Sequence, residues 1–88
     1  MKVKLRLFGT LANLAVREQD ISLPEGASVA DLINSLVMQY GAEFRSRINR
    51  LEMWQVSVNG NCHILSESMK TILKDQNEVI IFPLQFGG

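Results

Sequence analysis

The sequence predicts an α+β domain, a small sheet packed on one long helix. Three observations carry that reading. Apolar residues recur with period two at Val3, Leu5 and Leu7 and again at Trp54, Val56 and Val58, the mark of half-buried strands. Between them, residues 28–41 hold one stretch whose apolar positions recur at helical spacing. Polar or breaker-rich turns, Pro24-Glu25-Gly26, Asn59-Gly60 and Lys74-Asp75-Gln76-Asn77, separate the segments.

Along the chain, Lys4, Arg6 and Phe8 alternate with the first strand's apolar set, and Gly9 ends that strand. Residues 10–15 suit a short helical turn with Leu11 and Leu14 inward. Residues 18–23 read as a second strand with Ile21 and Leu23 on one side. Ser28 is placed to cap the long helix, and Asp31 three residues later completes a capping-box-like pair. Val29, Leu32, Ile33, Leu36, Val37 and Tyr40 form its apolar face, and Gly41 is placed to end it in a left-handed conformation. Phe44, Ile48 and Leu51 suggest a shorter helix. Residues 54–58 are a third strand. Asn59-Gly60 predicts a tight hairpin turn, because both residues tolerate positive φ. A short strand at 62–65 follows, then a loop to residue 73. Residues 78–82 form the last strand, which Pro83 stops. The order is β, β, α, β, β, with four to five strands in all, and no internal repeat.

At 88 residues the chain has room for one domain. Nine basic residues balance nine acidic ones. A nucleic-acid binder needs a basic excess to neutralise phosphates, and an anionic membrane surface favours the same, so neither is an expected partner. The first fifty residues carry seven basic and five acidic groups and the remainder two and four, an asymmetry too small to name a partner. Cys62 is alone, unlike the paired sets of small secreted domains. The N-terminus reads as a strand rather than a secretory signal, and no apolar run approaches membrane-spanning length. The expected location is the cytoplasm.

With the elements placed, the chain resembles the MoaD/ThiS sulfur-carrier family, which includes the small subunit of molybdopterin synthase. The resemblance covers nearly the whole length. It rests on Val3-Lys4-Leu5-Arg6-Leu7-Phe8-Gly9, on Leu23-Pro24-Glu25-Gly26-Ala27-Ser28-Val29-Ala30-Asp31-Leu32 leading into the helix, and on Val58-Asn59-Gly60. Leu73-Lys74-Asp75, Glu78-Val79, Phe82-Pro83 and Gly87-Gly88 complete the set. The segments at 10–15 and 44–51 look more like the molybdopterin branch than the shorter thiamine carrier. Two departures stand out. The tail runs Pro83-Leu84-Gln85-Phe86 where the family often has Pro-Pro and small residues, and Gln76-Asn77 occupy a turn where glycine is common.

The resemblance implies a ubiquitin-like β-grasp fold, with a mixed sheet on the long helix, a domain over residues 1–83 and an extended tail over 84–88. It also implies a chemistry. An E1-like adenylyltransferase joins Gly88 to AMP from ATP, and a persulfide enzyme supplies sulfur to leave a C-terminal thiocarboxylate. That sulfur then goes to a pterin precursor through a protein like the large subunit of molybdopterin synthase. On this reading the chain is a carrier rather than an enzyme and binds no cofactor itself. Gly88 is the attachment point, and Leu84, Gln85, Phe86 and Gly87 thread the tail into a partner. Five extended residues reach on the order of 17 Å, and glycines, lacking Cβ, pass a narrow channel. A terminal Gly-Gly alone is weak, because many chain ends are frayed. The alternatives are a ubiquitin-like modifier conjugated through Gly88 to lysines, a carrier for thiamine, cysteine or tRNA thiolation, and a passive β-grasp binding module.

Alternation along the last strand puts Val79 and Ile81 on one face and Ile80 and Phe82 on the other. If the first pair meets the helix, Ile80, Phe82 and Pro83, next to Leu84 and Phe86, form an apolar partner interface leading into the tail. Alternatively a loop covers Ile80 and Phe82, or the alternation inverts and they are core; a register slip would exchange the pairs. Cys62 and His63 are adjacent on a strand and so face opposite ways, which argues against a nucleophile–base pair; core or edge packing suits Cys62, and surface exposure suits His63. A metal site is not expected, since two ligands are too few. Asp75 and Glu78 read as a solvated turn. Arg45, Arg47 and Arg50 read as a solvated helix face, with an anion or partner contact as the minor alternative. Trp54 shares parity with Val56 and Val58 and reads as core or rim.

Overall fold

The computed structural model of the chain describes residues 1–84. Five strands and two α-helices are joined by short 3-10 segments. The strands are β1 (Lys2–Leu7), β2 (Glu18–Ser22), β3 (Trp54–Val58), β4 (Asn61–Ile64) and β5 (Glu78–Pro83), and the helices α1 (Val29–Tyr40) and α2 (Ala42–Ile48). The sheet order is β2-β1-β5-β3-β4. β1 and β5 pair in parallel at its centre, and every other pair is antiparallel. The parallel pair exists because the chain crosses the sheet through α1 before returning in β5, as parallel neighbours require. This is the mixed sheet of the ubiquitin-like β-grasp fold.

One face of the sheet meets α1. Val3, Leu5, Leu7, Val79, Ile81 and Val56 point into it, and Val29, Leu32, Ile33 and Leu36 come down from the helix; all are buried. Each such aliphatic side chain contributes about 1.5–3 kcal/mol on burial. The capping box at the start of α1 is complete. The Asp31 N–H donates to Ser28 Oγ at 3.2 Å, and the Ser28 N–H donates to Asp31 Oδ2 at 2.8 Å.

The structure amends several boundaries. Gly41 has φ +93° but ψ −162°, so it leaves α1 without the left-handed cap that the sequence suggests. It is also the residue before α2: its N–H donates to Val37 O, and its own carbonyl accepts from the Arg45 N–H. One residue therefore closes the first helix and opens the second, which turns its ψ away from the left-handed well. Leu51 falls outside α2, in a 3-10 turn spanning Leu51–Met53. Leu65 leaves β4 and is buried at the start of Leu65–Glu67. β5 runs one residue further than expected and ends on Pro83 itself, opposite Trp54.

Two turns are settled by individual residues. Asn59 and Gly60 take φ +49° and +88°, the pair of positive values a two-residue hairpin prefers. The Asn59 side chain also accepts the Glu78 N–H at 2.6 Å, tying the β3–β4 hairpin to the start of β5. Before β5, Gln76 sits at φ +67°, and the nearly buried Asn77 side chain accepts the Lys74 N–H at 2.8 Å.

Candidate functional site: the root of the tail and the outer sheet face

Among the described residues, no helix covers the sheet's second face. Register places Arg6 of β1 and Ser57 of β3 beside Ile80 of β5, and Gln55 beside Phe82. Val79 and Ile81 are fully buried against α1, so Ile80 and Phe82 point outward, and both are half-buried. The alternation therefore has the sense in which the second pair faces away from the helix.

Phe8 completes this patch. Its side chain is 46% exposed, and together with Gly9, Ile80, Phe82 and Pro83 it lines a shallow depression of about 510 Å³. Sequence reasoning missed it as a site residue. The signal was available, because Phe8 is the apolar residue in the otherwise charged set Lys4, Arg6, Phe8. The Arg6–Glu18 ion pair, 3.4 Å long and exposed at both ends, lies at the patch's border.

The patch runs into the last described residues. Pro83 is paired with Trp54, and the Leu84 N–H donates to Met53 O at 2.8 Å. The Phe8 N–H donates to Ile81 O at 3.0 Å, holding the other side of β5. Gly9 packs beneath this junction at φ +71°, and a Cβ there would lie 3.1 Å from both Pro83 Cδ and Cγ and 3.6 Å from Trp54 Cζ3. Trp54 is itself fixed, since its Nε1–H donates to Arg47 O at 2.9 Å. The root of the tail is thus held by backbone bonds to two flanking segments and rests on a glycine. Of the tail residues named from sequence, Leu84 is half-buried at this root. Gln85, Phe86, Gly87 and Gly88 lie outside the described residues.

The remaining candidates separate. Cys62 is not packed as the sequence suggests: β4 is the edge strand, and Cys62, opposite Ser57, is exposed; His63 is exposed opposite Val56, so the two face opposite ways. Among the described residues no three His, Cys, Asp or Glu side chains gather as a metal site, and no helix is long and apolar enough to cross a membrane. Asp75 does more than line a solvated turn. Its carboxylate accepts the Lys2 N–H at 2.8 Å, pinning the start of β1, and this bond foremost holds its carboxyl below the usual carboxylate range. Arg45, Arg47 and Arg50 are all exposed.

Residues 5–88 match the model of the ThiS family. The chain belongs to the ThiS family. Among solved structures, this ThiS-family chain is 30% identical to a putative molybdopterin converting factor, subunit 1, from Pyrococcus furiosus, with 97% of this chain and 99% of that one covered and a TM-score of 0.74. It is 26% identical to small archaeal modifier protein 1 from Methanosarcina acetivorans, covering 99% and 96% with a TM-score of 0.70. A complex of subunits 1 and 2 of the molybdopterin-converting factor from Helicobacter pylori contains a chain 19% identical, covered in full on both sides at a TM-score of 0.62, which speaks to fold. No curated protein matches the ThiS-family chain significantly.

Proposed function

We propose that the chain is a sulfur carrier that works through the carboxyl group of Gly88 in molybdopterin biosynthesis. The observation that carries this reading is the full-length similarity, at 30% identity, to a protein described as a putative molybdopterin converting factor, subunit 1. The clamped tail root supports it. A carrier needs a rigid base from which a narrow segment projects into another protein's active site, because positioning the reacting group is its main contribution to rate.

A carboxylate is a poor acyl donor. On this proposal an E1-like adenylyltransferase lets the Gly88 carboxylate attack the α-phosphorus of ATP, forming an acyl-adenylate and releasing pyrophosphate. The terminal sulfur of an enzyme persulfide then attacks the acyl carbon, and the bond to AMP breaks. A thiol reduces the resulting acyl disulfide and leaves the thiocarboxylate. The chain's own part is recognition and presentation: Ile80, Phe82, Pro83 and Phe8 dock the partner, and Leu84 through Gly87 lead the carboxyl group into it. The acceptor-side partner is a protein like subunit 2 of the converting factor, as in the Helicobacter pylori complex.

In a reconstituted molybdopterin synthesis that starts from the unmodified chain with its adenylating enzyme, ATP and a sulfur donor, deletion of Gly88 is expected to abolish product. Undiminished product from that deletion would overturn the proposal. A second reading, a protein modifier joined through Gly88 to lysines, is favoured by the match to small archaeal modifier protein 1. Gly-Gly remnants on lysines of host proteins would select it, and sulfur transfer without such remnants would select the carrier.

A further inference from the structure

On the side of the tail root opposite Phe8 and Ile80 lies a second concavity, a groove of about 590 Å³. Its apolar lining comes from Met53, Trp54, Pro83 and Leu84. Its polar side comes from α2 and the residues just beyond it. Glu43, Ser46 and Arg47 are spaced i, i+3 and i+4 on one face of α2, Arg50 lines the groove from just beyond the helix, and Phe44 and Ile48 of α2 are buried. Arg45 takes no part in the groove. The three arginines that look alike in the sequence are therefore divided by the fold, two beside the tail root and one away from it.

Among the described residues, both guanidiniums are available to a partner. Arg47 is 3.8 Å from Glu43, with the two side chains 44% and 69% exposed. An exposed pair at that distance is worth little and exchanges readily for a better partner. No carboxylate among the described residues pairs with Arg50. The groove thus offers two planar cations against one acid, above an apolar floor that includes the exposed Met53. Arginine forks match carboxylates in bidentate fashion, which lysines do not.

We propose that this groove docks a segment of the adenylating partner that carries a carboxylate next to an apolar side chain, resting on the carrier reading above. The apolar side chain lies on Met53 and Trp54, and the carboxylate bridges Arg47 and Arg50. Engagement there flanks Leu84 on the side away from the Ile80–Phe82 patch, so the partner grips the tail root from both sides. The Trp54 Nε1–H bond to Arg47 O joins the floor of the groove to its basic side, which fixes the spacing between the two recognition elements.

The test is the affinity of the full chain for the host adenylating enzyme, measured at low and at elevated salt, for the wild type, R47E/R50E, R47K/R50K and R45E. Thermal unfolding of each variant checks folding; all three positions are exposed. R47E/R50E is expected to weaken binding by about tenfold or more and to flatten its salt dependence. R45E should leave affinity nearly unchanged, and R47K/R50K should fall between. Equal affinity and equal salt dependence for wild type and R47E/R50E would overturn the docking site, as would an equal loss in R45E. A self-association that R47E/R50E abolishes while enzyme binding stays intact would assign the groove to a second copy and also overturn it. Failure of the underlying reading looks different: wild-type protein with saturating enzyme, ATP and sulfur donor would then gain no sulfur at all.

Discussion

Gly9 and Pro83 are in such close contact that a single added carbon on Gly9 would come within 3.1 Å of two ring atoms of the proline. They belong to opposite ends of the chain and meet where the last strand gives way to the tail. Gly9 also sits at φ +71°, where a side chain costs about 1–2 kcal/mol. Gly9→Ala should therefore lower stability by about 1–3 kcal/mol in urea unfolding, once the displacement of Pro83 is added. It should also slow sulfur loading at saturating partner, because the tail root shifts. Unchanged stability and loading would show that the contact is slack.

The two faces of β5 should respond differently to truncation. Ile81→Ala removes a fully buried side chain from the core and should cost about 2–5 kcal/mol. Ile80→Ala and Phe82→Ala touch half-buried outward residues and should each cost about 1 kcal/mol. On the carrier proposal, those two and Phe8→Ala should nonetheless weaken binding to the partner more than exposed substitutions away from the patch and the tail root. Chemical denaturation paired with partner titration separates the two effects.

Asp75 predicts a pH dependence. Its folded carboxyl lies below its ordinary range, chiefly because it accepts the Lys2 N–H. A depressed acid stabilises the fold at pH values above its unfolded pKa, about 3.9. That stabilisation is lost as pH falls from there through the lower folded value. Asp75→Asn should therefore be less stable than wild type at neutral pH, with the difference shrinking on acidification. A difference that grows toward low pH would contradict the assignment.

Gln76 is a non-glycine residue at φ +67°. Replacing it with glycine relieves the steric cost of that conformation but adds chain entropy to the unfolded state. Steric relief outweighs the entropy cost, so Gln76→Gly should raise stability by up to about 1 kcal/mol. Thermal unfolding at neutral pH reads the change directly.

Most of the fold was legible because local patterns and tertiary packing agree. The strand alternations, the Ser28–Asp31 cap and the Asn59-Gly60 turn each state one structure, and the fold uses all of them. Boundaries moved where one residue serves two elements. Gly41 caps both helices, and Leu65 and Leu51 carry apolar side chains that suit a strand or helix but are used by 3-10 turns. The outward face of β5 could be named from parity alone, but which parity faced out was decided by Val79 and Ile81 meeting α1. Phe8 stands out locally as the apolar residue of a charged set, but its place beside Ile80 and Phe82, like the Gly9–Pro83 contact, depends on the parallel pairing of the first and last strands, which no local pattern reveals. Arg47 and Arg50 could be distinguished from Arg45 only once Trp54 and Pro83 were placed beside α2.

The most direct measurement is the intact mass of the full chain after incubation with its adenylating enzyme, ATP and a persulfide sulfur donor. A sulfur carrier should show a gain equal to replacing one oxygen with sulfur, localised to Gly88 and absent from a Gly88 deletion. No gain with an enzyme shown to be active, or a gain that survives the deletion, would contradict that role.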